Sequence, residues 1–193
     1  MRTPRKKGEY YYIADLHLFH ENLIHPRDES IMEGNMKARK QFSSVDEMHE
    51  LIRSKWNAKV KNNDSVFILG DLGLYHADEI ARFMNSLNGH KHLIIGNHDR
   101  RNLENKQLRA VFDTIYSYGI VSDGDEKVVL FHYPIEQWDG YYRGFYHLHG
   151  HTHGDSSLKK IPRRYEVSVE VTGYEPMTLQ ELKEKEANSS EEE

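Results

Sequence analysis

Five short runs of apolar, β-branched or aromatic residues recur along the chain, and each is followed at once by a side chain able to bind a metal. The runs occupy residues 10–14 (YYYIA), 65–69 (SVFIL), 92–95 (HLII), 127–131 (KVVLF) and 145–148 (FYHL), with the length and composition of strands. A further stretch, 165–171 (YEVSVEV), alternates so that Val167, Val169 and Val171 would share one face of an extended chain. Helical patterns lie between the runs. Ser44 and Glu47 carry a capping-box signature ahead of Met48, Leu51, Ile52, Trp56 and Val60 at helical spacing. Residues 77–88 place Ile80, Phe83, Met84 and Leu87 on one side, with Gly89 as a stop. A third helix is expected over about 102–112, and Thr178 with Glu181 caps a short last one. Residues 25–41 are polar and aperiodic and read as a loop or excursion rather than a core element. Strands alternating with helices define an α/β architecture, in which ligands sit beyond the carboxyl ends of the strands.

Those ends are chemically uniform. The first run leads into Asp15 and His17, the second into Gly70 and Asp71, and the third into Asn97, His98 and Asp99. The fourth leads into His132 and the fifth into His151 and His153, just past Gly150. Carboxylate, amide and imidazole donors without sulfur suit manganese, iron, zinc, nickel or cobalt. Seven such ligands exceed what one ion takes from protein. Two ions about 3.5–4 Å apart, sharing one carboxylate, would use them all. His147 and His149 precede the glycine, within the strand, and are expected to pack or to hydrogen-bond behind the site.

Composition narrows the setting. The 193 residues suffice for a single domain over 1–193, with 1–8 and 188–193 as flexible tails. There is no cysteine, so disulfides and thiolate metal sites are excluded. No apolar run is long enough for a membrane helix, and the basic N-terminus has no apolar segment behind it. A cytoplasmic protein without membrane partners is expected. The net charge of −5 argues against a general nucleic-acid coat, though not against an enzyme acting on phosphates.

The ordered series Asp15-x-His17, Gly70-Asp71, Gly96-Asn97-His98-Asp99, His132 and Gly150-His151-x-His153 resembles the calcineurin-like metallophosphoesterases. The likeness runs from residue 10 to about 172, and "DLHLFHENLI", "LGDLGL", "HLIIGNHDR" and "LFHYP" resemble its short bacterial and phage members. The resemblance implies a sandwich of two mixed β-sheets flanked by helices. It implies two divalent ions, manganese foremost. Asp15, His17 and His153 would hold the first, Asp71 would bridge, and Asn97, His132 and His151 would hold the second. His98 would meet the substrate phosphate or leaving oxygen, oriented by Asp99.

Other positions are less determined. His20 and Asn22 could contact substrate or support the ligands, and Phe19 stands where those relatives commonly have glycine. Arg143 and the basic run 159–164 could meet a phosphate or simply be solvated, and Trp138, Tyr141 and Tyr142 could floor a base pocket or pack. "GDLGLYH" and "GNHD" depart from the arginine and glutamate of the protein phosphatases in this superfamily. The expected activity is phosphodiester hydrolysis, by a hydroxide held between the ions, on a nucleotide-like or other small phosphoester. A nuclease acting on single-stranded nucleic acid, a phosphomonoesterase and a non-catalytic scaffold are the alternatives.

Overall fold

A computed structural model describes residues 8–28, 30, 32 and 34–191. The expected tail residues 1–7 and 192–193 lie outside the described residues. Two four-stranded sheets are flanked by helices. The first holds β1 (Tyr10–Ile13), β2 (Ser65–Ile68), β3 (His90–Ile94) and β4 (Thr114–Tyr116), parallel throughout and in that order. The second holds β5 (Gly119–Asp123), β6 (Glu126–Leu130), β7 (Tyr146–His149) and β8 (Arg164–Glu166). β5 and β6 pair antiparallel, and β6, β7 and β8 pair parallel. Helices α1 (Val45–Lys59), α2 (Ala77–Asn85), α3 (Asp99–Asn102), α4 (Lys106–Arg109), α5 (Val169–Thr172) and α6 (Leu179–Glu191) complete the chain.

The first sheet is buried on both faces, which is why its strands read as continuous apolar runs. Tyr11, Ile13, Val66 and Ile68 join Met48, Ile52 and Trp56 of α1 and Ile80 and Met84 of α2 in one core. The alternate residues Tyr10, Tyr12, Ala14, Phe67 and Leu69 meet Val128, Leu130 and Leu148 of the second sheet in another. A period of two therefore sorts each strand between the two layers. Both capping signatures are realised. Ser44 accepts the Glu47 N–H at 3.2 Å, and Thr178 and Glu181 exchange reciprocal bonds of 2.7 and 3.2 Å. Each cap is worth ~1 kcal/mol.

Four expectations change. The stretch 165–171 is not one strand: it turns at Ser168, whose hydroxyl reaches Asp15 Oδ2 at 2.9 Å, and continues as α5. Val167 then falls in the core between the sheets and Val169 in the helix-side core. The helix expected over 102–112 is broken into α3 and α4, because the Asn105 side chain accepts the Gln107 and Leu108 N–H groups and starts a new turn. The segment 25–41 is not all loop: Gly34–Gln41 forms a 3-10 helix that buries Met36 and Arg39. At the other end, α6 continues into the expected tail. β4 and β5 carried no strong periodic signal; β4 is only three residues long.

The turn at Ser168 fixes the site. Ala14 N–H donates to Val167 O at 2.7 Å and Val169 N–H to Ala14 O at 3.1 Å, tying the end of β1 to the chain leaving β8. The carboxyl ends of both sheets thereby open at one edge, where the five metal-capable strand ends lie.

Candidate metal centre

Two clusters of metal-capable groups form at that edge. Asp15, His17 and His153 make one, and Asp71, His132 and His151 the other, with the donor atoms of each within 4.8 Å of one another. Asp71 Oδ2 lies 3.9 Å from His17 Nε2 of the first cluster and 3.5 Å from His132 Nε2 of the second. Asn97 Oδ1 joins the second cluster, 2.8 Å from His132 Nε2. All seven expected ligands thus converge.

The backbone is shaped for this. Asp15, His17, Asp71, His151 and His153 all have left-handed φ, between 46° and 74°. Such conformations are costly away from glycine and persist where the surroundings impose them, typically at functional sites. Phe19 is left-handed too, at 59°. Two glycines admit the carboxylates. A Cβ on Gly96 would strike Asp71 Oδ1, and one on Gly150 would strike Asp15 Oδ2.

The ring tautomers follow from the neighbours. His132 Nδ1 faces the Leu69 carbonyl at 2.7 Å, so it carries the hydrogen and leaves Nε2 as the donor atom. His153 Nδ1 faces both oxygens of Glu170, at 3.1 and 3.2 Å, and its Nε2 faces Asp15 Oδ1 at 3.9 Å. Burial holds His17 well below the ordinary histidine range and lowers His132, keeping both rings neutral and ligand-competent. Burial also lowers His153, but the bonded Glu170 outweighs it and the net direction is up.

Burial disfavours the charged form of both cluster carboxylates. Burial pushes Asp15 up to about 8, with His153 opposing and Asp71 and Glu170 adding to the rise. Asp71 is raised chiefly by burial. Asp15 Oδ1 and both ring nitrogens of His17 are buried without a hydrogen-bond partner. Unpaired oxygen and nitrogen atoms aimed into one acidic cleft are what divalent ions satisfy.

The remaining expected site residues divide. His98 donates its backbone N–H to Asp71 Oδ1 at 3.0 Å, and its half-exposed ring lies 3.9 Å from Asp71 Oδ2. Asp99 does not orient that ring. Its buried carboxylate accepts the N–H groups of Gly96, Asp71 and Leu72 at 2.7, 2.9 and 2.9 Å, so it shapes the loops under the ligands. His20 reaches the rim, its ring 6.0 Å from that of His17. Asn22 is turned into its own loop, accepting the Arg27 N–H, and Arg143 is tied to Asp139 on the surface. Trp138 is buried and bonded to Phe145 O, a packing role. Within the basic run, Arg163 bonds Tyr141 O, and Arg164 bonds Ile135 O and Lys159 O. His147 faces the carbonyls of Val129 and Tyr133, and His149 that of Gly150, behind the site as expected.

Sequence reasoning missed Arg39 and Glu170. Arg39 is fully buried and donates to Asp15 O at 2.6 Å, Leu16 O at 3.1 Å and Glu170 Oε1 at 2.6 Å. Burial raises Glu170, but Arg39 and His153 overcome that and bring it to about 2, a fixed anion behind His153. A basic residue in a polar stretch gave no sign of burial, and Glu170 lay in the pattern of a strand.

A two-sheet sandwich with paired Asp/His clusters at the carboxyl ends of its strands defines a metallophosphoesterase. The chain belongs to the calcineurin-like phosphoesterases, whose family pattern matches residues 10–181. It is a metal-dependent phosphoester hydrolase, with divalent ions as cofactors and small phosphoesters as substrates. It is 29% identical over 177 residues to the uncharacterized protein MJ1445 of Methanocaldococcus jannaschii, covering 88% of this chain and 86% of that one. It is 24% identical over 194 residues to the Gene 66 protein of Mycobacterium phage L5, covering 85% and 86% respectively. Its fold is similar to that of the protein of unknown function AQ665 from Aquifex aeolicus, with a TM-score of 0.68 and 24% identity over 91% of this chain and 97% of that one. Among the described residues no helix is long and apolar enough to cross a membrane.

Proposed function

We propose that the chain is a dinuclear-metal phosphodiesterase acting on nucleotide-like phosphoesters. Asp15, His17 and His153 would hold one ion, Asn97, His132 and His151 the other, and Asp71 would serve both. The carrying observation is the position of Asp71 Oδ2, within 3.9 Å of His17 Nε2 and 3.5 Å of His132 Nε2. When bound, two divalent ions supply Lewis acidity and an ionised water at neutral pH. His98, exposed at the mouth and anchored through its backbone to Asp71, contacts the phosphoryl group and assists the departing oxygen. Asp99 keeps the Asp71 and Gly96 turns in place beneath it.

A diester is favoured over a monoester by charge. A monoester carries an extra negative charge, yet Arg39 spends its donors on Asp15, Leu16 and Glu170, and Arg143 is tied to Asp139. Manganese, a single-domain organisation, a cytoplasmic location and a nucleotide or single-stranded nucleic acid substrate belong to the same proposal. The test compares methyl p-nitrophenyl phosphate with p-nitrophenyl phosphate on manganese-loaded protein. The diester should have the higher kcat/KM; a faster monoester would overturn the diesterase reading.

A further inference from the structure

An unbroken row of aromatic rings starts at the second metal cluster. The Tyr133 ring lies 4.9 Å from that of His132 and 4.6 Å from that of His151, centroid to centroid. Phe131 follows at 5.6 Å from Tyr133, and Tyr118 at 6.0 Å from Phe131. Strand register places Tyr116 of β4 beside the strand that leads to Asn97 and His98. Tyr116 pairs with Ile94, and its carbonyl accepts the Ile95 N–H at 2.8 Å, one residue before Gly96.

These rings are not core. Tyr116, Tyr118 and Tyr133 are 42%, 41% and 37% exposed, and Phe131 is partly exposed, whereas most aromatics of the first sheet are buried. Large flat side chains held in water along the edge of a reaction centre are a binding feature rather than a packing one. Neighbouring rings are inclined at 57° and 59°, so each presents its own face to a flat group joined to the phosphate under attack. Nucleobases fit that description, and stacking on aromatic side chains tolerates any base.

We infer that Tyr133, Phe131 and Tyr118, running outward from His132 and His151, form a base-stacking subsite for the nucleoside arm of a phosphodiester. This deepens the proposed function and rests on it. Tyr133 takes the base next to the scissile phosphate. Phe131 and Tyr118 take the next one when the substrate is an oligonucleotide, so the preferred substrate is single-stranded, with its bases free to stack.

The test uses two esters with the same leaving group, thymidine 5′-(p-nitrophenyl phosphate) and methyl p-nitrophenyl phosphate, on manganese-loaded protein. The nucleoside ester should be the better substrate by about tenfold in kcat/KM, mostly through KM. Tyr133→Leu should lower kcat/KM for the nucleoside ester about tenfold more than for the methyl ester, so that the preference between the two disappears. Tyr118→Leu, further from the ligands, should weaken a dithymidylate ester and spare the mononucleotide. Equal losses on both esters, or no preference in the unsubstituted protein, would overturn the inference. If neither ester is cleaved, the phosphodiesterase reading fails. Fluorescence anisotropy with a phosphorothioate hexathymidylate then decides the subsite separately. Binding weakened by both substitutions supports it, and binding unchanged or undetectable sinks it.

Discussion

Arg39 Nε lies 2.6 Å from Glu170 Oε1, with both side chains fully withdrawn from solvent. The pair stands between two parts of the first metal cluster. Arg39 grips the carbonyls of Asp15 and Leu16, and Glu170 holds Nδ1 of His153. A contact spanning 131 residues thus sets the backbone of one expected ligand and the ring of another. Removing one partner of a buried pair strands the other charge, at ~3–5 kcal/mol. Arg39→Met is expected to lower the urea midpoint accordingly. Glu170→Gln should also weaken manganese binding at the first position by ~10–100-fold, as loss of a ligand's supporting carboxylate does. Denaturation curves and calorimetric metal titration of both variants check this.

Asp71 and His98 should separate metal binding from turnover. Asp71→Asn is expected to deplete both metal positions, because Asp71 Oδ2 neighbours His17 and His132 alike. His98→Ala should keep its metal and lose ~10²–10⁴-fold in kcat, the range for a positioned proton donor. Metal content measured beside rate on each variant distinguishes the two; equal metal loss would contradict the assigned roles.

Close approach of backbone to carboxylate makes a strong prediction from one methyl group. Gly150→Ala would drive a Cβ into Asp15 Oδ2, which also accepts the His151 N–H at 2.9 Å and the Ser168 hydroxyl. Metal affinity and activity are expected to fall by more than tenfold, with the far-ultraviolet circular dichroism unchanged.

Three buried histidines each make a contribution to stability that acid removes. Burial lowers His49 and His147 from 6.5 to about 4 and His149 to about 3. These rings stay neutral in the fold but take up protons when it opens. Their contribution is therefore complete above pH 6.5 and is lost as pH falls from there through about 4. Each titrating ring adds a slope of up to ~1.4 kcal/mol per pH unit. His49 Nε2 accepts the Phe19 N–H at 3.0 Å, a bond the protonated ring cannot accept. His49→Gln, which retains an acceptor, is expected to flatten the dependence of the urea midpoint on pH between 6.5 and 4.5.

The strand ends were legible because two local signals coincide there, an apolar run and a polar donor straight after it. Asp15, Asp71, Asn97, His132 and His151 all converge as that coincidence implied. What stayed hidden depends on distant partners. Arg39 buries itself only because Glu170 and two carbonyls meet it, and a polar segment carries no periodicity to announce that. Ser168 turns the chain where its hydroxyl lies between Glu166 Oε1 and Asp15 Oδ2, so an alternating valine pattern gave way to polar contacts. Asp99 was read as partner to the adjacent His98, yet three backbone amides claim it across 28, 27 and 3 residues of sequence.

Two ions sharing Asp71 is the arrangement on which the proposed chemistry depends. Electron paramagnetic resonance of protein reconstituted with increasing manganese tests it most directly, read beside the bound stoichiometry. Two ions per chain with a spin-coupled spectrum are expected, and loss of that coupling in Asp71→Asn. A single uncoupled ion at saturation, or two that never couple, would contradict it.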